Sequence, residues 1–318
     1  MSWDVIIPFL RPIEGLIRDP DISDILVNGP DQVFIEKFGE MQHVPGVTVS
    51  EKCLQVAVRN IARQLGDDIS EEKPILDARL PDGSRVTAVM APCSVKGTSL
   101  AIRKFQSKRY GPQDLVRIGT LTPELLLQLQ TAVALHQNIL IAGGTGTGKT
   151  TLLNALSHFI GPEDRIVVIE ETSEVQIGKT NLVRLEARRE QPGLPAISIR
   201  DLLKATLRLR PDRIILGEVR GGEAFDLLQA LNTGHSGSLS TIHANSAAEA
   251  ISRFATCVLM SGIDIPYRVI RQNIGESLDL VIQLKRAPGK RVVSQVLKIK
   301  RYVPAEDYYE FETFYQSK

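Results

Sequence analysis

The run GGTGTGKTT, from Gly143 to Thr151, constrains this chain more than any other feature, because it satisfies GxxxxGK[ST] between the apolar run NILIA and a helix-forming TLLNAL. Glycines let such a loop turn tightly and aim consecutive backbone N–H groups inward. The result is an anion cradle at a helix N-terminus, suited to the α- and β-phosphates of a nucleotide. Lys149 then neutralises the β- and γ-phosphates, and the Thr150 hydroxyl is placed to ligate the Mg2+ that bridges them. The candidate nucleotide-binding set is Gly143, Gly144, Thr145, Gly146, Thr147, Gly148, Lys149, Thr150 and Thr151. A glycine-rich turn that binds nothing is the alternative, and the flanking strand and helix count against it.

The loop's surroundings read as an α/β domain. Thr122 caps a helix with Pro123 in its first turn, and NILIAGG reads as a buried strand. Strands RIVVIEE, LVRLEA, RIILGE and SLSTIHA then alternate with helices SIRDLLKATLRL and GEAFDLLQALNTG. Such alternation implies a mainly parallel sheet covered on both faces. Upstream the texture differs. A hairpin turns at Asn28-Gly29-Pro30-Asp31, Ser50 opens an amphipathic helix ending at Gly66, and short strands flank Pro81-Asp82-Gly83. Residues 1–105 are expected to form a smaller α+β domain, 106–120 a polar linker, and 121–318 the phosphate-binding domain. A length of 318 residues suits two domains better than one core. Towards the C-terminus, two helices and a pair of strands around Pro288-Gly289 extend the second domain, and the aromatic, acidic tail EDYYEFETFYQSK is left without an assigned fold, docking on a partner being one use for it.

Composition narrows the partners. Lys plus Arg number 38 against 37 Asp plus Glu, so a net charge of +1 supplies no global field for nucleic acid or anionic lipid, and stable nucleic-acid binding is not expected. Three scattered cysteines, Cys53, Cys93 and Cys257, offer neither a disulfide framework nor a zinc site, which suits a reducing cytoplasm. The N-terminal stretch, MSWDVIIPFLRPIEGL, is not read as a signal peptide, and no apolar run is long enough to span a bilayer.

Hydrolysis needs a group to orient water and a further ligand for Mg2+. RIIL runs into Gly217-Glu218, putting a carboxylate just past a strand's C-terminal end, where open α/β sheets bind ligands. Glu218 is therefore the candidate general base. IVVI ends in Glu170-Glu171, and Glu171 is the candidate second metal ligand beside Thr150. Each acid has an alternative as a solvated loop residue.

Four segments fall in the order seen in type II and type IV secretion ATPases. GGTGTGKTT resembles that family's Walker A loop, IEETSEV its acidic box, LRPDRIILGEVRGGEA its Walker B region and TGHSGSLSTIHAN its histidine box. The run from Leu209 to Asn245 is most similar to conjugal-transfer ATPases of the TrbB kind and pilus-assembly ATPases of the CpaF kind. The likeness covers most of residues 20–285. It implies a RecA-like C-terminal domain, a homo-hexamer, ATP with Mg2+, and partners among the inner-membrane components of a secretion, conjugation or pilus machine. It also implies a cytoplasmic protein, peripheral at the inner face of the bacterial inner membrane. Matched to the family's motifs, Glu218 is the catalytic glutamate and Glu171 belongs to the acidic box. Arg220 matches a family arginine, His235 and His243 match histidines near the γ-phosphate, and Arg85 and Arg103 match arginines that reach the phosphates.

Two departures bear on the branch. Gly217-Glu218 stands where many P-loop enzymes carry aspartate, a departure this family shares, and the four-cysteine zinc insertion of many type II members is missing, which favours the type IV or pilus branch. Arg184, Arg188 and Arg189 form a basic run that faces solvent, DNA, lipid or a neighbouring subunit. Two other functions stay open at this point. One is a RecA-like nucleic-acid translocase; the other is an assembly platform gated by nucleotide with little turnover.

Overall fold

The computed structural model describes residues 6–105, 110–188, 190 and 193–317, and packing divides the chain into Met1–Lys108 and Arg109–Lys318. In the first unit, short helical turns lead into α1 (Glu14–Arg18), followed by β1 (Ile22–Asn28), β2 (Val33–Lys37), β3 (Glu40–His43), α2 (Glu51–Gln64), β4 (Ile75–Arg79), β5 (Arg85–Val89) and β6 (Ser99–Arg103). The strands form one sheet in the order β3-β2-β1-β6-β5-β4, antiparallel throughout. The hairpin expected at Asn28–Asp31 joins β1 to β2. Its Gly29 sits at φ 101, where a Cβ would come 2.8 Å from the Lys96 carbonyl oxygen. Ser50 caps α2 by accepting from the Cys53 N–H, and Leu54, Ala57, Val58 and Ile61 bury one helix face in the core.

The second unit begins with α3 (Pro112–Arg117) and α4 (Pro123–Ala134), then β7 (Ile139–Gly143), α5 (Lys149–Ser157), β8 (Ile166–Glu170) and β9 (Leu182–Glu186). It continues with α6 (Ile199–Thr206), β10 (Arg213–Val219), α7 (Glu223–Asn232), β11 (Leu239–Ile242), α8 (Ala247–Leu259) and α9 (Tyr267–Ser277). Three strands close it: β12 (Leu280–Ala287), β13 (Lys290–Val303) and β14 (Tyr308–Gln316). Their order is β14-β13-β12-β7-β11-β10-β8-β9, parallel from β12 to β9 and antiparallel at β13 and β14.

Central strand β7 shows why its sequence is apolar at every position. Leu140 and Ala142 face a core built with α7, α8 and α9, whereas Ile139 and Ile141 face one built with α4 and α5. Both faces are covered, so period-2 alternation disappears and a continuous apolar run remains. At the base of the strand, Asn138 Nδ2 donates to the Ser277 carbonyl at 2.6 Å and its Oδ1 accepts from the Ser238 N–H at 3.0 Å. These bonds tie β7 to its neighbours on either side.

One segment differs from the sequence reading, and another was left open by it. Of the expected linker, 106–109 lies outside the described residues, and 110–120 contains α3, whose Leu115 is buried in the second unit's core along with Leu121. Polar Gln113, Asp114 and Arg117 mask a helix of only six residues whose apolar anchor is a single leucine. The tail is the segment left open. It forms β14 and packs on its own chain, with Tyr309 buried against Tyr302 and donating its hydroxyl to the Arg271 carbonyl at 2.9 Å. The alternation YYEFETFY is that of an edge strand with one face on the core, which its acids obscured. Among the described residues no helix is long and apolar enough to cross a membrane.

Candidate active site

The phosphate loop leaves β7 at Gly143 and enters α5 at Lys149. Gly146 and Gly148 take φ of 66 and 92, the left-handed region that favours glycine. Gly143 is held from two sides, since a Cβ there would stand 2.6 Å from Thr147 Oγ1 and 2.8 Å from the Leu284 carbonyl. Thr147 Oγ1 donates to the Gly144 carbonyl at 2.9 Å, fastening the turn across its mouth. Lys149 is almost fully buried, and its Nζ donates to the carbonyls of Gly143 and Gly144, both at 3.1 Å. Burial holds its pKa below the ordinary lysine value, with the Glu218 charge opposing and Arg220 adding to the depression. Thr150, next on α5, is half-buried.

Glu218 reaches this loop through an irregularity in β10. Leu216 pairs with Ser240 and Val219 with Ile242, so Gly217 and Glu218 together oppose Thr241. Such a bulge re-aims the side chain it carries. Thr241 Oγ1 donates to the Gly217 carbonyl at 2.6 Å and pins the bulge in place. Gly217 has its own reason: a Cβ there would come 2.8 Å from Glu170 Cγ. Glu170 ends β8 and is buried, its Oε1 accepting from the N–H groups of Glu174 and Val175, both at 2.8 Å. The acidic box therefore does two jobs. Glu170 shapes the loop after β8 from inside, and Glu171 points outward, half-exposed.

A chain of charges joins these parts. Arg220 bonds Glu171 through Nη1 and grips Glu218 Oε2 with Nε at 2.8 Å and Nη2 at 2.6 Å. On the other side of the same carboxylate, His243 Nε2 lies 2.7 Å from Glu218 Oε1. That oxygen is shut off from solvent and makes no aligned hydrogen bond. The His243 ring nitrogens each stand 3.4 Å from Lys149 Nζ. Burial, then the Lys149 charge, push the His243 pKa below the ordinary histidine value, with Glu218 pulling the other way.

The candidates do not all converge. Lys149, Thr150, Glu171, Glu218, Arg220 and His243 belong to the C-terminal edge of the parallel sheet, the edge at which such sheets bind ligands. His235 does not join them. It lies in the turn between α7 and β11, at the opposite end of a strand about 13 Å long, where Nδ1 donates to the Ala230 carbonyl at 3.2 Å. The turn orients His235 as a helix-end residue, and only His243, beyond the strand, reaches the loop. In the first unit, Arg85 and Arg103 are register partners on β5 and β6, and Arg103 Nε pairs with Asp24 Oδ1 at 3.0 Å. Arg184 donates to the Val175 and Ile177 carbonyls and Arg188 to Pro195, so these two brace loops, whereas Arg189 lies outside the described residues. Glu170 and Gly217 were not singled out from sequence, because their pairing joins residues 47 positions apart; two glutamates ending an apolar strand is the signal that was there to use.

Comparison with known proteins agrees with this architecture. A family model described as type II/IV secretion system protein matches residues 10–305. A probable conjugal transfer protein TrbB from Sinorhizobium fredii is 34% identical over 300 residues, covering 93% of this chain and 88% of that one. The type IV secretion system protein PtlH of Bordetella pertussis is 36% identical over 315 residues, covering 91% and 93%. Among solved structures, the VirB11 ATPase of the Brucella suis type IV secretion system, in complex with sulphate, aligns with a TM-score of 0.50 at 30% identity over 92% of this chain and 94% of that one. The Legionella pneumophila ATPase DotB, at 20% identity and a TM-score of 0.64 over 94% and 81%, shares the fold. The chain belongs to the type II/IV secretion system protein family and is one of its ATPases.

Proposed function

We propose that this chain hydrolyses ATP at the edge formed by β7, β10 and β11, and that turnover powers a type IV secretion, conjugal-transfer or pilus-assembly machine. One observation carries the catalytic part: the Glu218 carboxylate stands at the C-terminal end of the sheet between Arg220 and His243, and the His243 ring in turn reaches the loop lysine. The attacking water is proposed to donate to this carboxylate. Glu218 orients it and takes its proton as the water oxygen bonds to the γ-phosphorus, while the bond from that phosphorus to the β-γ bridging oxygen breaks and leaves ADP.

The other residues have positioning roles. Lys149 turns from the loop carbonyls to the β- and γ-phosphates, and the N–H groups from Gly144 to Thr151 cradle the chain. Neutral His243 backs Glu218 and senses the γ-phosphate beside Lys149. Arg220 fixes the second carboxylate oxygen. The Thr150 hydroxyl and the Glu171 carboxylate are hard oxygen donors that fit Mg2+, which when bound neutralises the developing phosphate charge. Arg85 and Arg103 are proposed, on the family likeness alone, as arginines that reach the phosphates. The same likeness supports a homo-hexamer at the cytoplasmic face of the inner membrane, in contact with the machine's membrane components.

Phosphate release, nucleotide affinity and molecular mass of wild type and Glu218→Gln test the reading together. The variant is expected to bind ATP and assemble to six subunits as wild type does, and to lose turnover by a factor of about a thousand or more. Turnover that survives Glu218→Gln contradicts it. Wild type that binds ATP as a ring without turnover favours the nucleotide-gated platform instead.

A further inference from the structure

We propose that Gln283 is a positioning residue for ATP hydrolysis: from β12, its side-chain amide holds the backbone just past His243 and so sets where that imidazole stands between Glu218 and Lys149. The inference rests on the reading of His243 given above and extends it to a strand outside the four motifs.

The sheet places Gln283 there. It pairs with Ala142 on β7, Ala142 pairs with Ile242 on β11, and Ile242 pairs with Val219 on β10, so the four residues form one row across the sheet. The other three belong to the core built with α7, α8 and α9, as does Val281 two positions before Gln283. A glutamine is unusual in such a row, and at 2% exposure it has no water to turn to. The row also leaves it room. Ala142 ends at its Cβ, so the longer side chain passes over β7 towards the end of β11, which lies two strand spacings, roughly 10 Å, from β12. There Nε2 donates to the Ala244 carbonyl at 3.3 Å and, beside its own main chain, to the Leu284 carbonyl at 3.2 Å. Both neighbours are acceptors, which fixes the amide with its nitrogen towards them.

These two bonds give the amide leverage on the site. Ala244 directly follows His243, whose Nε2 lies 2.7 Å from Glu218 Oε1 and whose ring nitrogens each stand 3.4 Å from Lys149 Nζ. The local bond to Leu284 holds one amide N–H, so the other stays aimed at Ala244. Gln283 Oε1, by contrast, is buried and accepts no hydrogen bond among the described residues. A side chain that only filled the core would avoid that cost, as a methionine of similar length does. The amide is there for its donors. With its backbone held, the imidazole keeps its place among Lys149 of α5, Glu218 and Arg220 at the end of β10, and Arg253 of α8.

The test is turnover against pH, Mg-ATP affinity and thermal melting for wild type, Gln283→Met, Gln283→Leu, Ser294→Ala, His243→Gln and the double variant Gln283→Met/His243→Gln. The two apolar variants lose the same donors with different shapes, so a loss they share is not a packing effect. Each is expected to lower kcat about tenfold and to leave Mg-ATP affinity within about threefold of wild type. In each, a less confined imidazole should move the midpoint of the acid limb of turnover up towards the ordinary histidine value of 6.5. Ser294→Ala removes the bond from Ser294 Oγ to the Gln283 carbonyl, 3.2 Å long, without touching the amide, and should stay within about twofold of wild type. In the double variant, Gln283→Met should add less than about twofold to the loss from His243→Gln, because both act through one group. Wild-type kcat in either apolar variant, an acid limb that does not move, or a loss that adds in full to that of His243→Gln overturns this inference alone. An equal loss in Ser294→Ala overturns it too, because it indicates a loosened strand rather than a lost donor. Wild-type turnover in His243→Gln overturns the reading of His243 and this inference with it.

Discussion

His243 touches both the loop lysine and the strand-end carboxylate, so proton concentration enters the site through its ring. Its pKa lies below the ordinary value of 6.5 because burial and the Lys149 charge both oppose protonation, with Arg220 and Arg253 adding to them and Glu218 resisting. Turnover that needs the neutral ring is therefore expected to stay level down to about pH 6.5 and to fall only below it. An acid limb centred above that value contradicts the assignment. Glu170 works with the opposite sign. Burial raises its pKa above 4.5 even though two backbone N–H groups favour the charged form. The folded chain thus holds this proton more tightly than the unfolded one, and the stability it contributes at low pH is lost as pH rises through the folded value. Glu170→Gln keeps an acceptor for both N–H groups, so it should raise the thermal midpoint more at about pH 8 than at about pH 5; a drop at the higher pH contradicts the account. The sequence pointed to Glu218 and His243 as candidates because each ends an apolar run. Gly217 was hidden, since it is explained by a contact with the Glu170 side chain, from a strand distant in sequence.

Elements were legible where one physical signal dominated. The Ser50, Thr122, Ser198 and Ser246 caps each accept from a backbone N–H three residues on, and the helices begin where those residues fall. The buried strands β7, β8 and β10 appeared as unbroken apolar runs for the reason given for β7. Signals in conflict concealed α3 and β14: one is too short to show a period, and the other carries acids on its open face. If β14 is part of the core, Tyr309→Ala must remove real packing. Tyr309 is 8% exposed, its ring centroid is 5.2 Å from that of Tyr302, and burial pushes its hydroxyl pKa up to about 12. Truncating it is expected to cost the second unit about 3 kcal/mol, seen as a lower denaturant midpoint. An unchanged midpoint contradicts the integration of β14 into the fold.

At the scale of the whole molecule, the order of motifs carried the family and the two-unit fold, because each motif sits at a strand end and the sheet's parallel strands gather those ends on one edge. That logic brought Lys149, Glu218 and His243 together and left His235, which precedes its strand, on the far edge. The central claim is that this edge activates water on the Glu218 carboxylate. The most direct test is a structure of the assembled protein with Mg2+ and a non-hydrolysable ATP analogue. The account predicts a water within about 3 Å of the Glu218 carboxylate and in line with the γ-phosphorus, with Lys149 Nζ moved from the loop carbonyls to the phosphates. A γ-phosphate whose in-line water is held by another residue, with Glu218 still closed against His243 and Arg220, would contradict it.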